Sequence, residues 1–96
     1  MDLTEFRKSP TAGTPPRGLD MALRALWHDA NGEWDRAHEL AQQQEDQAGA
    51  WVHAYLHRKQ GDLTNASYWY RDAQKATPNT TLEVEWEALV KALLSN

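Results

Sequence analysis

This chain predicts an all-α domain of two helical hairpins closed by a fifth, capping helix. Three observations carry that expectation. Apolar residues recur three and four positions apart from Leu19 onward, the period of a helix with one buried face. No segment alternates with period two, so no strand is expected. A block of helix, glycine turn and helix also occurs twice, with its glycines at Gly32 and Gly61, 29 residues apart.

The elements follow in order. Lys8 to Gly18 holds three of the four prolines among small polar residues, which leaves little to bury. Residues 1–18 are therefore expected as a mobile arm ahead of a domain at residues 19–96, the alternative being that Leu3 and Phe6 dock back as a short turn. Leu19, Ala22, Leu23, Leu26, Trp27 and Ala30 define a helix near 20–31, stopped by Asn31-Gly32, a pair suited to a left-handed cap. Trp34, Ala37, Leu40, Ala41 and Gln44 mark a second, near 33–45. Ala48, Trp51, Val52, Ala54, Tyr55 and Leu56 mark a third, near 48–60, ending at Gln60-Gly61. The fourth turns Leu63, Ala66, Tyr70 and Ala73 inward over 62–77, up to Thr77-Pro78, because a residue before proline avoids the helical region. The fifth, near 80–95, buries Leu82, Trp86, Leu89, Val90 and Leu93, with Thr80 and Glu83 spaced as a capping box. Glu83, Glu85 and Glu87 near its start are expected to favour the helix dipole and solubility.

Composition sets bounds on what this scaffold does. Ninety-six residues make one core, and five Trp and three Tyr supply large buried areas within an apolar share of only 41%. Zero Cys excludes disulfides, thiolate metal sites and cysteine nucleophiles, and fits a reducing, cytoplasmic setting. No apolar run approaches a membrane span, and a net charge of -4 lacks the basic footprint of a nucleic-acid binder.

The repeat aligns Ala25-Leu26-Trp27-His28 through Gly32, Trp34 and Ala37 with Ala54-Tyr55-Leu56-His57 through Gly61, Leu63 and Ala66. Gly61, Ala66, Tyr70, Ala73 and Pro78 resemble the second half of a tetratricopeptide repeat: turn glycine, small crossing residue, aromatic, small residue, terminating proline. The first copy keeps Gly32 and Ala37 but has Ala41, Gln44 and Gly49 in the remaining places, and the period is shorter than the family's roughly 34 residues. The resemblance covers residues 20–78 and implies a tetratricopeptide-like α-α superhelix of two units. The stretch from Trp51 to Ala73 is also similar to small bacterial proteins of this shape, a likeness that bears on fold and carries over no catalytic residue.

Chemistry has few places to sit. His53 and His57 stand four apart and share a helix face, and the repeat sets His28 in the place equivalent to His57. The three are the candidate metal ligands, although the Ala-Tyr-Leu between the histidines lacks the glutamate of a zincin helix. The competing reading is a buried polar seam of His28, His53, His57, Asn65 and Tyr70, with its side chains hydrogen-bonded to one another or to carbonyls. Trp51, Tyr55, Arg58, Lys59 and Arg71 combine cations with aromatic rings and are the candidate ligand-binding residues, in a groove between the first and third predicted helices. No nucleophile turn or phosphate loop is present and no catalytic residue is assigned.

The leading functional reading is thus a small binding module for a peptide, a protein or an acidic small ligand, requiring no cofactor. A histidine-centred metal or enzymatic site is the rival, and self-association through an exposed tryptophan face is the third reading.

Overall fold

The computed structural model describes residues 1–8 and 14–95, and all regular structure among them is helical. Six helices form: α1 (Leu3–Lys8), α2 (Met21–Ala30), α3 (Trp34–Gln43), α4 (Gln47–Gln60), α5 (Leu63–Asp72) and α6 (Leu82–Leu94). None is long and apolar enough to cross a membrane. Short turns make α2 and α3 one packed pair and α4 and α5 another, α3 lies against α4, and α6 rests on α2 and α4.

Aspartates cap the starts of α2, α4 and α5. The side chains of Asp20, Asp46 and Asp62 accept from the backbone N–H groups of Leu23, Gly49 and Asn65, satisfying donors that a helix start leaves free. Thr81 caps α6 by accepting from Val84 N–H at 3.1 Å, one residue beyond the expected Thr80. Gly49 is demanded by packing. A Cβ there would lie 1.8 Å from the Gln44 carbonyl oxygen, so only glycine lets the chain enter α4 this close to the end of α3.

The core is built on Leu26, Trp27, Val52, Leu56, Leu89 and Val90, all buried. Beside it, Ala54 and Ala66 let α4 and α5 approach, with Tyr70 packed on the same contact. Leu63, expected inward, is exposed at the start of α5. It sits directly after the capping Asp62, and only from Ala66 onward does the helix face α4.

Three further expectations are corrected. Residues 1–18 are not free throughout: Phe6 is 1% exposed and packs on Trp86 with ring centroids 5.7 Å apart. Arg7 lies over the same indole and pairs with Glu83 and Glu87, so α1 is joined to α6 by burial and by charge. The middle of the expected arm, residues 9–13, lies outside the described residues. Second, α5 ends at Asp72 rather than at 77. Pro78 bars the helical conformation at Thr77, and the chain turns earlier, where Lys75 N–H bonds back to Tyr70 O at 2.9 Å around Gln74 at φ 59°. Third, Glu85 is no surface acid; it is buried and bonded to Arg58 and Tyr70.

Two predictions follow from these departures. Phe6→Ala should lower the unfolding free energy by about 3 kcal/mol, the low end for a buried phenylalanine because α1 can detach instead of leaving a cavity; an unchanged denaturant midpoint would show that α1 contributes nothing. Gln74→Gly should raise stability by about 0.5–1 kcal/mol, since a side chain is disfavoured at positive φ and the Lys75 bond is kept.

Candidate functional site: a three-histidine centre

The i, i+4 spacing on α4 sets the imidazoles of His53 and His57 one above the other, with ring centroids 4.8 Å apart and planes nearly parallel. Helix α3 brings a third ring. Helix α3 packs against α4, and Ala41, three residues after His38, is buried beside the cleft that Ala50 and His53 also line. The His38 ring centroid lies 4.6 Å from that of His53 and 5.0 Å from that of His57. One ring nitrogen from each of the three falls within 4.8 Å of the other two.

The rings are held from outside. His38 Nε2 and His53 Nε2 face each other at 2.9 Å, so one nitrogen donates and the other accepts. His57 Nδ1 is 3.1 Å from Gln60 Oε1; the amide oxygen accepts, which places the proton on Nδ1 and leaves Nε2 with its lone pair. Trp34 stacks on His38 at 4.9 Å and 10°, and is itself anchored by donating from Nε1 to Leu56 O at 2.9 Å. Trp69 stacks on His53 at 4.1 Å and 20°. Two indoles thus flank three imidazoles.

Burial sets the protonation state. Desolvation first, then the neighbouring His38 and His57, holds the His53 imidazole down to about 4. His38 is also lowered, by burial and then by His57, against the opposing pull of Asp35. Both rings are therefore neutral near pH 7, the form in which a ring nitrogen can donate a lone pair to a metal.

The structure divides the expected seam. His53 and His57 are buried together, but His28 is separate, with Nδ1 2.8 Å from Glu33 Oε1 at its own helix turn. Asn65 is exposed and bonds to its own cap, Asp62. Tyr70 is buried and donates to Glu85, away from the imidazoles. His38 is the member that sequence reasoning missed, and its signal was available: it lies four residues after Trp34 and three before Ala41, on the stripe already assigned inward.

The expected ligand-binding residues are largely engaged within the protein. Tyr55 donates to Asp29 Oδ2 at 2.9 Å and Lys59 binds Asp29 Oδ1 at 2.9 Å. Arg58 reaches Glu85 Oε1 at 2.8 Å and the Thr80 carbonyl. Burial and the adjoining carboxylates push the phenols of both Tyr55 and Tyr70 up, which keeps them as donors. Trp51 is half-buried beneath Lys75, whose Nζ is 4.3 Å from the ring centroid, and Arg71 is exposed. Of the five, Tyr55 and Lys59 line a cleft of about 400 Å³ with Trp27 and Trp86. Among the described residues no buried side-chain polar atom lacks a partner.

Comparison with protein-family models, with curated proteins and with solved structures finds no significant match.

A pH dependence follows. Unfolded, His53 titrates near its ordinary 6.5, whereas folded it stays neutral down to about 4. The unfolded chain binds the extra proton in that window, so the stability of the metal-free protein should be full above 6.5 and fall as the pH drops toward 4. Denaturant unfolding between about pH 6.5 and 5, where carboxylates stay ionised, should show this slope in the native chain and a flatter one in His53→Gln.

Proposed function

We propose that this protein is a small helical metal-binding protein whose centre is His38, His53 and His57. The observation that carries the reading is the convergence of three imidazole nitrogens within 4.8 Å from two different helices. Tetrahedral zinc with nitrogens at about 2.0–2.1 Å sets them about 3.3 Å apart, so ring rotations of roughly an ångström or two close the present arrangement. The half-buried His38 has room for that movement.

Second contacts support the same reading. An imidazole that binds metal through one nitrogen commonly donates from the other to an oxygen, which fixes its tautomer; the Gln60 amide does this for His57. Neutral nitrogen donors suit zinc, copper, nickel and cobalt, whereas calcium and magnesium require oxygens. The supporting scaffold reads as a tetratricopeptide-like stack of two hairpins. Its support is the pair of left-handed glycines, Gly32 and Gly61, in equivalent turns, together with the Ala54–Ala66 crossing. A second reading, as a binding module for an acidic small ligand, rests on the cleft walled by Tyr55 and Lys59; it predicts binding that weakens with salt and ignores chelators.

Calorimetric titration of untagged, chelator-treated protein tests the proposal. One equivalent of Zn(II) or Co(II) should bind, and Ca(II) and Mg(II) should not. Saturation at a hundredfold excess over Kd should add about 2.7 kcal/mol of stability. His38→Ala, His53→Ala and His57→Ala should each weaken uptake by tenfold or more with helicity retained, and His28→Ala should leave it unchanged. Equal affinity in a folded variant lacking all three histidines would overturn the reading.

A further inference from the structure

The three-histidine centre supplies donors but no charge. Every member of the cluster is an imidazole, and the group of metal-capable side chains that converges there includes no aspartate or glutamate among the described residues. Asp35, one turn before His38 on α3, acts on that ring through space, and Glu45, Asp46 and Asp72 line a cleft shared with His53 and Trp69, but all four are exposed and outside the group. The Arg58 and Lys59 cations on α4 are turned to Glu85 and Asp29 on other helices. A divalent ion held by neutral rings therefore keeps its full charge while two of its ligands, His53 and His57, are buried.

That situation is unfavourable unless a negative ligand joins. An uncompensated charge inside a protein is strongly penalised, and three protein ligands leave a tetrahedral ion one position short. Access exists, because His38, Trp34 and Trp69 are each only partly buried around the cluster. The two indoles stack on the imidazoles, and Trp69 forms one wall of a cleft of about 420 Å³ that reaches His53.

Resting on the metal-binding reading above, we infer that the metal-loaded centre binds a small monoanion at an open fourth position, and that its metal is accessible rather than sealed into the fold. The ligand class is a hydroxide, a carboxylate or a similarly compact anion. The same charge argument disfavours a cationic ligand.

The test uses the untagged full chain loaded with one equivalent of Co(II), whose visible bands report its ligand set, titrated with azide and separately with acetate. Expected is a saturable, one-site change in band position and intensity, reversed by dilution, with the far-ultraviolet helical signal unchanged. A Co(II) spectrum that depends on His38, His53 and His57 but is not altered by either anion means that a fourth protein ligand closes the site; this overturns the inference and leaves the metal reading standing. If no histidine-dependent Co(II) spectrum appears at all, the metal reading fails and the inference falls with it. A Trp69→Leu variant adds a second measure: widening the approach should raise azide affinity several-fold, and the same affinity as in the native chain would show that the indole does not limit access.

Discussion

Helix α4 is packed against α2, α3, α5 and α6, and most of its length from Gly49 to His57 is buried. Over Gly49–His57 the helix shows little surface to solvent, so the polar groups there need partners inside the protein. The neighbours are arranged accordingly. Asp29 on α2 receives Tyr55 and Lys59; Glu85 on α6 receives Arg58; His38 on α3 receives His53. Removing Asp29 or Glu85 would leave a buried phenol, Tyr55 or Tyr70, without its acceptor, and an unsatisfied buried donor is costly. These contacts also fix which neighbour lies on which side of α4, and with that the angle at which α3 presents His38.

Most of the fold was legible because its signals are local. The apolar stripes of α2, α3, α4 and α6 and the glycine stops at Gly32 and Gly61 are written in a few adjacent residues. What escaped depends on distant partners. Docking of Phe6 stood only as the alternative, because a lone phenylalanine beside a proline-rich stretch does not name its partner, the Trp86 ring eighty residues later. The end of α5 was placed too late because the proline rule gives the last position a helix can reach, whereas the turn actually taken is set by the Lys75 bond to Tyr70. Glu85 follows the same logic: one acid among three at a helix start reads as solvated until Arg58 and Tyr70 are found opposite it.

The site was legible by half. His53 and His57 share a face by spacing alone, but the repeat pointed to His28 as the third ring, and that step failed for a physical reason. Repeat-equivalent residues occupy equivalent places in successive hairpins rather than one common place. His28 accordingly serves its own turn through Glu33, as His57 does through Gln60. The residue that faces α4 has to come from the second helix of the preceding hairpin, and His38 holds that position. Asn65 failed differently: an asparagine at the third position of a helix is within reach of its own cap, and Asp62 takes it.

The central question is whether three rings from two helices close on one ion. X-ray absorption fine structure of the zinc-loaded protein measures that directly, because imidazole gives outer-shell scattering that counts rings. Three imidazole nitrogens at about 2.0 Å with one further light ligand are predicted. A shell with one imidazole or none, filled by carboxylate or solvent oxygens, would contradict it and return His38, His53 and His57 to a purely structural role.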